Sequence, residues 1–306
     1  MISSLEQNYR ANGKLLLTGE YLVLKGAKAL AIPLKYGQEL KVKPCSNSFI
    51  EWHATTPSGQ WFSAQINENL ELTQTSDTQL GNTLLTLIKQ CISHRSDIKD
   101  YVANKTVLTH LEFDKDWGWG SSSTLISCLA QWLGVNPYLL LADTFGGSGY
   151  DIACATSQSP LLFSLKDNVP EITPIHFSPV FKEQIYFVYS GHKQSSKAEI
   201  TGFRNCQINA TTLEEINTIT DALLQSENIE QFGDILQQHE SIIGHILKRR
   251  PIKEDRFPDF EGYIKSLGAW GGDFMMAVTQ HNEQYVSDYF RRHQLKTIFK
   301  YNDIIL

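Results

Sequence analysis

The residues whose types and spacing most readily suggest chemistry form one short run, Gly118-Trp119-Gly120-Ser121-Ser122-Ser123, just ahead of an apolar segment. A Gly-rich turn that feeds a helix can hold an anion. The first N–H groups of a helix have no acceptor within it, and the helix dipole puts partial positive charge at the same end. Gly118 and Gly120 supply the backbone freedom for a close approach. Ser121, Ser122 and Ser123 add hydroxyls for phosphate oxygens or Mg²⁺, and one of them can cap the helix. No Gly-Lys-Ser/Thr follows, so this is not a Walker-type loop. Taken alone, the run reads equally as a serine-capped helix after a loop, because short Gly-rich matches arise by chance.

Two further Gly-rich turns carry polar groups. Gly146-Gly147-Ser148-Gly149 leads into Tyr150-Asp151-Ile152-Ala153, and Gly268-Ala269-Trp270-Gly271-Gly272-Asp273 leads into the apolar Phe274 to Val278. Asp151, read on its own, is a helix N-cap behind a Gly turn. Lys193, Lys197 and Arg204 in and after Gly191-His192-Lys193-Gln194-Ser195-Ser196-Lys197 can bind a carboxylate or phosphate, or can form a solvated basic loop. The nine histidines show no ligand spacing, and His239, beside an apolar helical stripe, reads as structural. The five cysteines are odd in number and widely spaced, without a zinc pattern or a disulfide framework. A reducing, intracellular compartment, the cytoplasm, is the simplest expectation.

Several elements must position these groups. Lys14 to Leu24 looks like two short strands around Gly19-Glu20. Glu39 to Val42 and Phe49 to His53 alternate, which suggests an antiparallel sheet, and Thr106 to Phe113 reads as another strand. Gly81 to Ile92 has helical spacing. In Thr124 to Leu133 the residues Leu125, Ile126, Leu129, Trp132 and Leu133 share a face, and Gly134, Asn136 and Pro137 end that helix. Pro170, Pro174 and Pro179 mark a stretch, 164–180, where a domain boundary is expected. Beyond it come a strand at Gln184 to Tyr189 and two amphipathic helices. Thr212 with Glu215 suggests a capping box for the first helix, and Phe232, Ile235, Leu236, Ile242, Ile243 and Ile246 line the second. Strands and helices mix without regular β-α-β alternation, so the fold class is α+β.

A chain of 306 residues predicts two domains, placed at 1–170 and 171–306. At 42% hydrophobic and 20% charged, the composition is that of an ordinary globular protein. The net charge of −6 argues against a general nucleic-acid binder but allows a local basic pocket. Met1 to Asn12 is polar, so no signal peptide is expected. No apolar run approaches the roughly 20 residues of a membrane span.

Four segments in order resemble the GHMP kinases, the family of galactokinase, homoserine kinase, mevalonate kinase and phosphomevalonate kinase. Ala11-Asn12-Gly13-Lys14 followed by Gly19-Glu20 is similar to the family's Ala-Pro-Gly-Lys opening and Gly-Glu turn. Gly118–Ser123 resembles Gly-Leu-Gly-Ser-Ser-Ala. Gly147-Ser148-Gly149-Tyr150-Asp151 resembles the Ser-Gly-x-Asp segment, and Gly268–Asp273 resembles Gly-Ala-Gly-Gly-Gly-Asp. The matches run from residue 11 to about 278. The chain departs from the pattern at Asn12, at Trp119 and Trp270, and at Ser123. The two tryptophans either narrow a nucleotide site, pack on each other across it, or fill core space.

The resemblance implies an N-terminal domain like part of a ribosomal protein and a ferredoxin-like C-terminal domain. It implies ATP and Mg²⁺ as cofactors and a small anionic alcohol or phosphate as substrate, and it leaves a homodimer open. Gly118, Gly120, Ser121, Ser122 and Ser123 would hold the nucleotide, with Ser122 the hydroxyl for Mg²⁺. Asp151 would orient the attacking hydroxyl, and Lys14 would be its partner and a charge stabiliser. Lys14, Glu20, Ser148, Lys193, Lys197, Gly271 and Gly272 would serve the substrate, with Glu20 holding either the Gly19 turn or Lys14. Where mevalonate kinases carry a metal-binding glutamate this chain has Leu140, with Asp143 the nearest acidic substitute or a solvated helix-end residue. Gly-Ser-Gly-Tyr-Asp-Ile-Ala is similar to the phosphomevalonate branch, so 5-phosphomevalonate stands ahead of mevalonate. The alternatives are a nucleotide-binding sensor without turnover and a kinase for homoserine or a sugar.

Overall fold

The structure is a computed structural model that describes residues 6–193, 199, 202–203, 206–270 and 272–306. Lys197, Arg204 and Gly271 therefore lie outside the described residues. The chain divides into two compact units. One comprises the chain up to Gly13, Tyr36–Lys115 and Trp119–Thr156; the other comprises Lys14–Lys35, Asp116–Gly118 and Ser157–Leu306. Strands β1 (Gln7–Leu16) and β2 (Ala29–Pro44) lend residues to both.

In the first unit, β3 (Ile50–Thr56), β4 (Gly59–Ile66), β5 (Leu72–Thr75) and β6 (Lys105–Leu111) join β2 in the order β5-β4-β3-β6-β2. Only the β3–β6 pair is parallel among these neighbours. Alternation makes the strands: Ile50, Trp52, Ala54 and Thr56 of β3 turn inward, while Glu51, His53 and Thr55 turn out. Five helices belong here: α1 (Thr78–His94), α2 (Lys99–Val102), α3 (Ser121–Leu133), α4 (Pro137–Thr144) and α5 (Tyr150–Thr156). Asp77 caps α1 by accepting from the Leu80 N–H, and Asn136 caps α4 ahead of Pro137. Trp52, Phe62, Leu87, Ile126, Leu129 and Leu133 form the centre of the core.

The second unit opens with β7 (Leu161–Lys166), which pairs with Ala29–Ala31 of β2, and β8 (Val169–Pro174). Asp167 and Asn168 join them with φ of 52° and 63°, the two positive values that a tight primed hairpin turn requires. Pro170 and Pro174 thus sit in an edge strand, where a missing N–H costs no ladder bond. The boundary expected at residue 170 falls inside this hairpin, whereas the contacts divide the chain at Thr156/Ser157 and set two earlier segments apart. A second, antiparallel sheet runs β10-β11-β9-β12, from β9 (Ile185–Tyr189), β10 (Tyr263–Ser266), β11 (Phe274–Val278) and β12 (Ile298–Lys300). Around it stand α6 (Ala210–Leu224), α7 (Ile229–Leu247), α8 (Ile252–Arg256), α9 (Glu283–Arg292) and α10 (Tyr301–Ile304). The whole is the α+β class expected.

Two local expectations are corrected. Leu22–Lys25 is a 3-10 turn, not a strand, closed by Gly26 at φ 92°. Helix α6 is capped by Asn209, whose side chain accepts from the Thr212 N–H, so Thr212 lies inside the helix. Asn209, three residues ahead of Thr212, is the side-chain acceptor at this start. No helix among the described residues is long and apolar enough to cross a membrane.

Candidate functional site

The first unit holds most of the Gly-Ser loop. Gly120, at φ 89°, is the N-cap of α3, and no side chain of the described residues caps this helix end. The expectation that a serine caps it is therefore corrected. Ser123 is buried and donates its hydroxyl back to the Gly120 carbonyl at 2.8 Å. Thr124 donates to Ser121 O at 3.0 Å and to Gln38 Oε1 at 2.7 Å, which ties the helix start to β2. Ser122 is exposed. Among the described residues no side chain takes the first-turn N–H groups, and the helix of 13 residues adds its dipole. Trp119 is fully buried between Tyr36 and Phe113, each ring centroid 5.6 Å away, so it fills core space.

Asp151 stands in the first turn of α5, half-buried, with Oδ1 accepting from the Ile152 N–H at 3.1 Å. It is not the N-cap. Gly149, at φ 89°, lies under the Tyr138 ring, and an added Cβ would meet that ring. Burial, and then the Asp151 charge, push the Tyr138 phenol up to about 12. Ser148 is partly buried in the same turn. Leu140 is fully buried in the core, and Asp143 is exposed and bonded to His94 Nε2 at 2.8 Å, which agrees with the helix-end reading. No group of three acidic, His or Cys side chains among the described residues could hold a metal.

The second unit brings Lys14 and Asp273 to Gly118. The Lys14 ammonium donates to the Gly118 carbonyl at 2.8 Å. Gly118 has φ 69°, and an added Cβ would run into the Asp273 carboxylate. Asp273 has φ 54°, donates its N–H to His192 O at 2.7 Å and accepts from the Ser190 N–H at 2.8 Å. Lys193 pairs with Asp116 at 3.1 Å, and Gly272 is buried. Trp117 packs on Tyr189, Phe274 and Phe299, with centroids 6.5, 5.9 and 5.3 Å away, and so pins the segment that carries Gly118 to the second sheet. Sequence reasoning missed both Trp117 and Asp273. Their signals, an aromatic beside the first glycine and an acid closing the third turn, lie in the sequence without indicating a partner.

Glu20 is corrected. It is 1% exposed, and its Oε1 is bonded to the fully buried Lys265 of β10, not to Lys14. A carboxylate so enclosed cannot reach a substrate. Around it, His239 Nε2 accepts the Gly19 N–H at 3.0 Å, Glu240 Oε1 accepts the Ser266 N–H, and Lys265 donates to Ser266 O at 2.8 Å. Burial raises the Glu20 carboxyl above its ordinary range, with Lys265 opposing. Burial, and then the Lys265 charge, hold His239 well below its usual value. The imidazole is thus neutral, and its 3.2 Å approach to Glu20 Oε2 is not an ion pair. Burial pushes the Glu240 carboxyl up to about 7. His239 is structural, as expected. Trp270 is buried on Tyr21 and Ile243, away from solvent.

No family model matches this sequence, and no curated protein matches it. Solved structures do match. The chain is similar to L. major mevalonate kinase, solved with R-mevalonate, at 14% identity and a TM-score of 0.70, covering 98% of this chain and 96% of that one. It is similar to Streptococcus pneumoniae phosphomevalonate kinase, solved with phosphomevalonate and AMPPNP, at 14% identity and 0.71, covering 96% and 99%. It is also similar to Lactococcus lactis galactokinase, solved with galactose, at 12% identity and 0.64, covering 96% and 92%. These identities carry the fold, which is the fold of the GHMP kinases.

Proposed function

We propose that this chain is a GHMP-type, ATP-dependent small-molecule kinase whose acceptor is a small anionic alcohol or phosphate. The observation that carries the reading is the start of α3 behind Gly120, which no side chain of the described residues caps, in a chain with this fold. The main-chain N–H groups of Gly120, Ser121, Ser122 and Ser123 receive the nucleotide phosphates, and Gly118 permits the turn that precedes them. The Ser123 hydroxyl is committed to Gly120, so Ser123 contributes through its N–H alone. Asp151 orients the acceptor hydroxyl, and Lys14 supplies positive charge beside Gly118. Ser148, Lys193, Lys197, Gly271 and Gly272 serve the acceptor.

The donor set fits a Mg²⁺ that arrives on the nucleotide. Mg²⁺ takes phosphate oxygens, waters and few protein oxygens, and the exposed Ser122 hydroxyl is one such oxygen. Bound there, the ion would neutralise phosphate charge during transfer. The acceptor is 5-phosphomevalonate ahead of mevalonate, on the likeness of Gly147–Ala153 to the phosphomevalonate branch, and the cysteine usage fits the cytoplasm. The apolar, buried Leu140 favours a second reading, a nucleotide sensor without turnover.

An ADP-release assay with Mg-ATP tests this against mevalonate, 5-phosphomevalonate, homoserine and galactose. Turnover with 5-phosphomevalonate is expected. Nucleotide binding without turnover on any of the four would favour the sensor, and absence of nucleotide binding would end both readings.

A further inference from the structure

A cavity of about 500 Å³ opens in the second unit, between α7, α8, the start of β10 and the turn after β11. Its size is that of a small-molecule site, roughly 300–1,000 Å³, but its lining is polar and charged. None of its residues has a part in the kinase reading. The Tyr263 ring forms the floor. It lies against Gly233 of α7, where an added Cβ would strike the ring. Gly262, at φ 151°, stands so close to Val278 O that only glycine fits, and the Thr279 hydroxyl donates to Glu261 O at 2.6 Å. The turn that enters β10 is thereby fixed.

Two opposite charges are held on that floor and kept apart. Lys253 of α8 places its ammonium over the Tyr263 face, 5.8 Å from the centroid, and donates to Gly262 O. The side chain is partly buried, and burial holds its pKa below the ordinary lysine value. Asp234 of α7 stands at the hydroxyl end of the same ring and accepts from it at 3.4 Å, a long bond that is readily exchanged. Three carboxylates line the cavity, yet among the described residues neither Lys253 nor Asp234 enters an ion pair. The other two carboxylates are engaged: Glu261 holds His281 Nε2 at 2.7 Å, and Glu230 accepts from the Gln280 amide. A flexible lysine would swing to a carboxylate if nothing held it. Here a carbonyl and a ring face hold it away from one. Gly262 O takes one of its three N–H groups and leaves two, and Asp234 keeps most of its lone pairs.

We propose that this cavity binds a small zwitterion, a molecule that carries both an ammonium and a carboxylate, as an α-amino acid does. Its carboxylate takes the remaining N–H groups of Lys253, and its ammonium takes Asp234. A ligand of one charge satisfies only half of the site. An anion would leave Asp234 unpaired and face two further carboxylates, and a cation would leave the partly buried Lys253 unpaired and face its ammonium. The proposal stands apart from the kinase reading, since it needs no nucleotide and draws on the second unit alone.

The test is titration calorimetry of the full chain with each of the common amino acids as probe. At least one should bind with Kd below about 1 mM. Its amide and its N-acetyl derivative, each short of one charge, should bind at least about tenfold more weakly, as loss of a charge-assisted bond requires. Lys253→Met and Asp234→Asn should each weaken the same probe at least about tenfold. Asp234 is exposed and Lys253 half-buried, so both variants should fold, and their melting temperatures check this. Asp221→Asn, which alters an exposed carboxylate of the same unit paired with Lys28, should bind as the wild type does. Binding that survives both cavity variants lies elsewhere in the chain and overturns the proposal. Loss in only one of them makes the site one for a single charge and overturns the zwitterion. Equal binding of the amide or the N-acetyl derivative, equal weakening in Asp221→Asn, or no amino acid binding below about 10 mM does the same.

Discussion

Replacing Lys265 by methionine should destabilise the second unit more than any surface change could. The side chain is fully buried, bonded to Glu20 Oε1 and to Ser266 O. Methionine keeps the volume and removes the charge. Glu20 would then remain 1% exposed beside a neutral imidazole, without a cation. Removing one partner of a buried pair costs about 3–5 kcal/mol, because the other charge is left uncompensated. In a domain of 150–250 residues each kcal/mol lowers Tm by ~2–4 °C, so a fall of roughly 6–20 °C is expected by calorimetry. The cost should shrink at pH 5 relative to pH 8, since burial already favours protonation of Glu20 and a neutral carboxyl needs no ammonium. The double variant Glu20→Gln/Lys265→Met should recover much of the loss, with a coupling of at least about 2 kcal/mol. A single-variant cost below about 1 kcal/mol, or a double variant as weak as the sum of the singles, would refute the pair as the organiser of this core.

The Glu240 carboxyl, raised by burial to about 7, holds a proton in the folded state through a window in which the unfolded chain, at the ordinary value of 4.5, has released it. Stability from this group therefore falls as pH rises from about 4.5 to about 7, by up to ~3 kcal/mol. Urea unfolding of Glu240→Gln at pH 5 and pH 8 should show a change more favourable to high pH than the wild type's; identical profiles would count against the assignment. Gly118→Ala should cost about 2–5 kcal/mol, from a left-handed φ and from the collision with Asp273. Gly146→Ala shares the φ of 69° but meets nothing within 4 Å, so it should cost only about 1–2 kcal/mol, and equal losses in the two would deny the Asp273 contact. Asp151→Ala should lower kcat at least ~10²-fold with nucleotide affinity retained, and an unchanged kcat would remove Asp151 from the chemistry.

Local pattern made much of this fold legible. The alternation in β3 and the apolar stripes of α1, α3 and α7 are properties of neighbouring residues, and they placed those elements within a few positions. The errors have a common physical source. Lys14 to Leu24 reads as strand because of its apolar content, yet its second half is buried as a 3-10 turn, which the pattern of residues does not distinguish. Pro170 and Pro174 suggest a domain boundary rather than a hairpin because the turn at Asp167-Asn168 depends on φ values that non-glycine residues seldom advertise. Glu20 reads as a substrate ligand because its true partner, Lys265, stands 245 residues away. Trp117 and Asp273 acquire meaning only through contacts with Gly118 and the second sheet.

The same reasoning explains how the Gly118–Ser123 loop can depart from the GHMP kinase pattern it resembles and still offer the anion site proposed for it. An anion at a helix start is held by main-chain N–H groups, so what the loop must preserve is backbone conformation. Gly118 at 69° and Gly120 at 89° preserve it. The side chains at the unusual positions are then free to turn inward, and both do: Trp119 packs between Tyr36 and Phe113, and Ser123 braces Gly120. Each side chain is committed to the interior of the first unit. A side-chain metal ligand has no such latitude, because its function lies in its own oxygens. Leu140 of α4, at the position where the resemblance would put a metal-binding glutamate, is core. Phosphate affinity in this chain should resist substitution of the loop's side chains and yield to substitution of its glycines.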